Sequence, residues 1–266
     1  MPNLIFLKLG GSLITDKTQP RTVRKDILQR IAAEILAARR ERPGLSLLIG
    51  HGSGSFGHIT AKKYGTRQGV HTPEEWLGFA EVWLHARQLN QYVIEALSAA
   101  GLPLIAFPPS AAASCQDGPV VQWEIEPIQQ ALHAGLIPVV NGDVVFDRVR
   151  GGTIASTEDG FAYLAPRLHP RHILLAGIDP GVWADFPQCT RLLSRITPET
   201  FSRFANGVSG SSAVDVTGGM AEKVSLMLNL TAQVPGMDAS IFSGLEPGAI
   251  TCALLENFSG TLVTQS

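Results

Sequence analysis

Leu4-Ile5-Phe6-Leu7-Lys8-Leu9-Gly10-Gly11-Ser12 is the stretch from which the fold is read. Its first six residues are apolar apart from one lysine. A strand with one wet face alternates in polarity, and this one does not, so it reads as buried on both faces. It then runs into Gly-Gly-Ser, a loop that lets a ligand approach the backbone. The pattern repeats at residues 45–49, which run into Gly50-His51-Gly52-Ser53-Gly54-Ser55-Phe56-Gly57-His58. Short apolar runs at 102–107, 137–140, 172–176, 239–242 and 260–263 read as further strands. Helical spacing covers 23–42, 73–100, 125–134, 158–168, 197–204, 219–232 and 246–255. In the first of these helices Ile27, Ile31, Ile35 and Leu36 share a face. Arg148-Val149-Arg150-Gly151-Gly152 reads as a hairpin turn within 144–154. Buried strands separated by helices predict an α/β fold: a three-layer α/β/α sandwich on a largely parallel central sheet. With no Pro/Gly/Ser linker, the expectation is one domain over 1–266, with two lobes around one continuous sheet.

Composition narrows the function. The 266 residues are 45% hydrophobic and 17% charged, which excludes a disordered chain. Lys plus Arg is 21 and Asp plus Glu is 23, a net charge of −2 with no basic excess, so nucleic acid is not an expected partner. Cys115, Cys189 and Cys252 form no CxxC, which suggests neither a zinc cluster nor a disulfide framework and fits a reducing compartment. The N-terminal apolar run is too short for a signal peptide. No run of about 18 uncharged apolar residues exists, so no membrane span is expected. The expectation is a soluble, cytoplasmic protein.

Parallel sheets place ligands beyond the carboxyl ends of their strands. Both glycine clusters lie there, flanked by Lys8, His51 and His58, and both can present backbone N–H groups to an anion. One such cluster is either an ordinary strand-to-helix turn or an anion site; two on successive strands point to phosphate. Gly52, Gly54 and Gly57 also spell GxGxxG, with Glu74-Glu75 about 20 residues on, as in a dinucleotide fingerprint. That fingerprint needs its acid at the end of the next strand. These acids follow Pro73 at the start of a helix, so a nicotinamide enzyme is disfavoured. No GxxxxGK[ST] occurs, which excludes a P-loop kinase. A third cluster, Asp215-Val216-Thr217-Gly218-Gly219-Met220-Ala221-Glu222-Lys223, opens a helix. By itself it is either an Asp/Thr cap with a solvated lysine or a phosphate approach with Lys223 one turn in.

Together these motifs resemble the amino acid kinase superfamily. Lys8 to Ser12 matches its K-x-GGS, and Lys17 follows in Ile14-Thr15-Asp16-Lys17. Within the superfamily, His51 to His58, Pro138-Val139-Val140-Asn141-Gly142-Asp143-Val144-Val145 and Asp215 to Met220 resemble isopentenyl phosphate kinase. The resemblance implies transfer of the γ-phosphoryl of ATP to the phosphate of isopentenyl phosphate, with Mg²⁺, giving isopentenyl diphosphate and ADP. Such an acceptor has a second pKa near 6, so it is ionised at pH 7 and needs no base. The obstacle is repulsion between anions in a loose, in-line transition state, which cations and N–H donors offset.

The resemblance also implies roles. Lys8 and Lys17 bridge the β- and γ-phosphates. Gly10, Gly11 and Ser12 hold phosphates by their backbone. Ser53, Gly54 and His58 hold the acceptor phosphate, His58 as donor and charge, and Gly54 also borders ATP. Asp179, Gly218, Gly219 and Lys223 serve ATP. Thr157 touches the acceptor from Ser156-Thr157-Glu158-Asp159, where the family has an SGD-like element. No residue is assigned as a dedicated metal ligand. Asp143 orients Lys8, helps with metal or caps a strand end. The lobe of about 1–168 takes the acceptor, the lobe of about 169–266 takes ATP, and the family is typically homodimeric. Trp76, Phe79, Ala80, Trp83 and Arg87 share helical spacing; the first four either wall an isoprenyl pocket or pack in the core. Besides Ser156-Thr157-Glu158-Asp159 in place of the SGD-like element, three departures stand out: Ala176-Gly177-Ile178-Asp179-Pro180-Gly181-Val182 in place of a TDVDG-like element, Glu222 where glycine is common, and Asn141 for a frequent tyrosine. The rivals are a fosfomycin kinase, whose phosphonate acceptor would want a polar pocket, and a non-catalytic nucleotide sensor, which would not need all of Lys8, Lys17, His58 and Lys223.

Overall fold

The Leu4–Leu9 strand is buried along its whole length, as its apolar run requires. It takes a parallel neighbour on each side, Ser46–His51 and His172–Gly177. The computed structural model describes residues 3–204, 219–257 and 259–266. Its main sheet has eight strands in the order Arg195–Ile196, Thr261–Val263, Asp238–Ser243, His172–Gly177, Leu4–Leu9, Ser46–His51, Ile137–Asn141, Leu104–Ala106. Every pairing is parallel except that of Asp238–Ser243 with Thr261–Val263. The chain builds outward from Leu4–Leu9 on one side, then returns to its other side with His172–Gly177. Such a reversal opens a crevice at the carboxyl ends of the two strands concerned. Gly10 and Gly177 stand at its lips, and Gly10 N donates to Ala176 O at 2.8 Å.

Alternation along the central strand divides the core. Leu4 and Phe6 pack with Leu48, Ile173, Phe161, Leu164 and Met227. Ile5, Leu7 and Leu9 pack on the other face with Leu47, Ile49, Leu28, Ile31 and Val93. Helices Thr157–Leu168 and Met220–Gln233 therefore cover one face, and helices Lys25–Glu41 and Pro73–Ala99 the other. This is the three-layer sandwich expected from the sequence. With a side-chain period of two, Lys8 continues the Leu4–Phe6 face toward helix Thr157–Leu168. No helix among the described residues is long and apolar enough to cross a membrane.

Three features differ from the sequence reading. The buried stripe of Lys25–Glu41 is Leu28, Ile31, Ala32, Ile35 and Ala38; Ile27 and Leu36 only flank it. A helix at Gly54–Tyr64 was not expected, because two glycines in its first turn hide the apolar spacing of Phe56 and Ala61. The sheet is not one continuous surface. Gly142 separates Ile137–Asn141 from Asp143–Asp147, and there the chain leaves the main sheet for a second one. That sheet has the order Gly151–Ala155, Asp143–Asp147, Ala113–Cys115, Val120–Trp123. Its Asp143–Asp147 and Gly151–Ala155 strands form the expected hairpin.

The two glycine loops interlock. A Cβ on Gly11 would lie 2.4 Å from Gly54 N and 2.6 Å from Gly54 Cα, so the two backbones touch. Gly54 has φ +48, in the left-handed region that glycine enters without penalty. The Thr15 hydroxyl seals the joint: Oγ1 donates to Gly11 O at 2.6 Å and accepts from Ser55 N at 3.0 Å. Gly11→Ala must push these backbones apart and is expected to cost about 1–3 kcal/mol in chemical denaturation. Gly44→Ala, whose new methyl meets nothing nearer than Asn3 Nδ2 at 3.6 Å, is expected to stay within about 0.5 kcal/mol.

Candidate active site

The crevice at the switch point is a cleft of about 960 Å³ that opens to solvent. It gathers residues from distant parts of the chain: Lys8, Gly10, Gly11, Ser12, Lys17, Ser53, His58, Thr157, Asp179 and Lys223 all line it. These are ten of the positions that the sequence singled out. Gly54 is not on the wall; it is packed beneath it against Gly11 and Thr15. Gly219 caps helix Met220–Gln233, and its neighbour Met220 reaches the cleft. Gly218, with Asp215 to Thr217, lies outside the described residues. Ile178 and Asp179 follow directly on strand His172–Gly177, so the altered Ala176 to Val182 stretch still ends at the cleft. Glu222 is exposed and off this cleft, in a neighbouring groove with Lys223 and Arg67.

Lys8 has a partner that the sequence reading passed over. Its Nζ forms a buried ion pair with Glu158 Oε1. Helix Thr157–Leu168 comes close enough because Lys8 pairs in register with Gly50. A Cβ on Gly50 would lie 2.4 Å from Thr157 Cγ2 and 2.7 Å from Phe161 Cζ. The helix starts with a capping box between Ser156 and Asp159. Asp159 closes the cap, which leaves Glu158 to turn inward. Two acids in one first turn, where a cap needs one, were the available signal. Thr157 Oγ1 donates to His51 O at 2.6 Å and so docks the helix start on the sheet. Burial alone would raise the Glu158 pKa; the charges of Lys8 and Lys223 and the hydrogen bond from Lys8 outweigh it and hold the carboxyl below its ordinary value.

His51 and Asp143 serve the frame of the site. The His51 ring is buried, with Nε2 2.9 Å from Asn90 Oδ1 and Nδ1 3.2 Å from Gly52 O. Burial lowers its pKa, against the contacts with Asn90 and Gly52. Asp143 accepts from Val144 N at 2.9 Å and Ser110 N at 3.4 Å. Burial pushes its pKa up to about 6 despite them. Of the readings open for Asp143, the structure shows the cap.

A second cavity of about 630 Å³ abuts the cleft and shares Ser53, His58, Gly142 and Ile154 with it. Its apolar wall is Ala61, Val82, Ala86 and Ile154; Lys62, Arg67, Gln68 and Asp143 add polar groups. The aromatic residues expected there lie elsewhere. Trp76 and Phe79 stack with Phe146, with ring centroids 5.2 to 5.9 Å apart. Phe79 packs with Ala61, Val70, Val82 and Val144. Trp83 is 39% exposed, with the Arg87 guanidinium 5.7 Å from its ring centroid. One helix carries two stripes at helical spacing here. Phe79, Val82, Ala86 and Leu89 face inward, whereas Ala80, Trp83 and Arg87 face outward.

The family model described as the amino acid kinase family matches residues 3–243. The chain belongs to the amino acid kinase family. It is 32% identical to the isopentenyl phosphate kinase of Methanocaldococcus jannaschii over 97% of each chain. It is 34% identical to that of Methanothermobacter thermautotrophicus, over 98% of this chain and 99% of the relative. A crystal structure of isopentenyl phosphate kinase superposes with a TM-score of 0.83 at 33% identity, covering 98% of this chain and all of the other.

The ion pair sets an acid limit on stability. The folded-state pKa of Glu158 is depressed, so its contribution is present above the ordinary 4.5 and is lost as pH falls through the lower folded value. Glu158→Gln leaves Lys8 buried beside a neutral amide and is expected to cost about 3 kcal/mol at neutral pH. That gap should shrink as pH falls below 4.5 in paired denaturation curves of wild type and variant.

Proposed function

We propose that this protein is an ATP-dependent phosphotransferase that passes the γ-phosphoryl of ATP to the phosphate of isopentenyl phosphate. The observation that carries this reading is one cleft lined by Lys8, Lys17, Lys223 and His58, joined at His58 to a cavity with an apolar wall. An acceptor with an anionic head and an apolar tail suits that pair. The head would lie against Ser53 and His58, and the tail against Ala61, Val82 and Ala86. The relatives named above are isopentenyl phosphate kinases, which supports the same acceptor.

The acceptor oxygen is already anionic at neutral pH, so no base is needed. His58 donates a hydrogen bond to the acceptor phosphate and holds it in line. Lys8 and Lys17 stabilise the charge that spreads over the transferring group, and Lys223 approaches from the nucleotide side. Glu158 keeps the Lys8 ammonium aimed into the cleft. Mg²⁺ fits a site whose carboxylates are Asp179 and the Lys8-paired Glu158, since it is usually bound by one or two carboxylates plus substrate phosphates. When bound, it neutralises phosphate charge. The acceptor lobe is about residues 1–168 and the ATP lobe about 169–266. A cytoplasmic homodimer belongs to the same proposal, supported by the family resemblance and by three unpaired cysteines.

The test is ADP release with Mg·ATP, with isopentenyl phosphate, fosfomycin or no acceptor. Turnover is expected with isopentenyl phosphate; turnover with fosfomycin alone would overturn the acceptor. His58→Ala and Lys17→Ala are each expected to fold and to lose about 10²–10³ in kcat. His58→Ala should also raise KM for the acceptor, and normal turnover in either variant would remove that residue from the mechanism.

A further inference from the structure

Lys17 stands on an exposed tip. It follows the first strand of a two-stranded hairpin, Thr15–Asp16 against Thr22–Val23, and residues 17–21 are all exposed. A cation that must meet a transferring phosphate has to be placed to within a fraction of an ångström. The hairpin base is tied to both glycine loops through Thr15. Its turn is shaped by Asp16 Oδ1, which accepts from Thr18 N at 2.8 Å and from Thr18 Oγ1 at 2.7 Å. Its returning arm is tied to Ser55, which accepts from Arg21 N at 3.3 Å through O and from Thr22 N at 3.4 Å through Oγ. Arg21 has φ 51, an uncommon value for a residue with a side chain.

That conformation accompanies a side-chain contact. Arg21 Nη1 lies 3.3 Å from His85 Nε2, and His85 Nδ1 lies 3.0 Å from Thr60 Oγ1. The guanidinium has five donors and no acceptor, so Nε2 must offer its lone pair. The ring hydrogen then sits on Nδ1 and is donated to Thr60. His85 lies on helix Pro73–Ala99, and Thr60 lies on helix Gly54–Tyr64, which also carries His58. The chain Arg21 to His85 to Thr60 therefore links three elements.

We propose that Arg21 and His85 are positioning residues for Lys17: they dock the hairpin tip on the two helices that frame the acceptor site. The inference rests on the reading of Lys17 as a transfer-site cation. The latch also responds to pH. The groups facing the buried His85 ring are Arg21 from the hairpin, Thr60 from the neighbouring helix and Glu81 from its own. Burial and then Arg21 lower the His85 pKa from 6.5, against Glu81. A second proton would go to Nε2 and set two cations face to face. The latch is closed above the ordinary histidine value and opens as pH falls through the lower folded-state value.

The experiment is trypsin cleavage of the full-length protein after Lys17, read by mass spectrometry, beside kcat and both KM values. Arg21→Ala alters an exposed residue and leaves the Lys17 cleavage site intact. It is expected to speed that cleavage and to lower kcat about tenfold, with little change in the denaturation midpoint. His85→Ala should do the same. His85→Gln, whose amide can accept from Arg21 and donate to Thr60, should restore both. Corrected by a reference peptide, cleavage should rise in wild type as pH falls through the lowered His85 value and stay flat in His85→Gln. Unchanged cleavage and kcat in Arg21→Ala would overturn the proposal. So would loss of stability in His85→Ala with no change in kcat and no rescue by glutamine. If Lys17→Ala turns over normally, the cation reading fails and positioning falls with it. Cleavage after Arg21 in Lys17→Ala with and without His85→Ala would still show whether the hairpin is docked.

Discussion

A lysine in the middle of a sheet, covered on both faces, is a buried cation, and a buried charge must be compensated. Glu158 compensates Lys8, and much of the cleft is arranged around that pair. The carboxylate reaches the lysine because Gly50 lets helix Thr157–Leu168 approach the sheet and Thr157 fastens the helix start to the His51 carbonyl. An ammonium has three donors. One is used by Glu158, and the geometry leaves the Lys8 side of the cleft open to an anion. The pair holds the lysine in place at the cost of a buried negative charge beside the cleft. That charge is tolerable because Lys8 and Lys223 both bear on it.

The second constraint is contact between backbones. The loops that follow the first two long strands touch at Gly11 and Gly54, and one threonine hydroxyl serves both. Loops are usually the mobile part of an α/β site. Here they brace one another, so the donors along both walls keep a fixed separation. In-line transfer between two anions depends on such fixed distances more than on any proton transfer.

Two helices bound the second cavity. Gly54–Tyr64 places His58 where the cleft and the second cavity meet, and Pro73–Ala99 supplies Val82 and Ala86 to the cavity wall. The proposed acceptor, with a polar head and an apolar tail, would thereby meet adjoining spaces with one histidine between them.

Some of this was legible in the chain and some was not. Leu4 to Leu9 announces a doubly buried strand because an unbroken apolar run tolerates no wet face. Gly10-Gly11-Ser12, the Ser53 to His58 loop, Lys17 and Lys223 are local signals, and the structure gathers them at one cleft. Local patterns record which residues share a face and where a backbone can turn. They do not record which faces meet. The Lys8 to Glu158 pair spans 150 positions, and nothing near either residue names the other. The helix from Pro73 carries two stripes at helical spacing, and only packing against Gly54–Tyr64 turns Val82 and Ala86 inward and leaves Trp83 outside. The departure of the Asp143 hairpin into a second sheet is likewise a matter of tertiary pairing. The sequence by itself determined the strands, the glycine turns and the supply of cations, because these depend on neighbours a few residues apart. The tertiary structure decided their partners, because burial of charge and of apolar area is settled between segments that meet only in the folded chain.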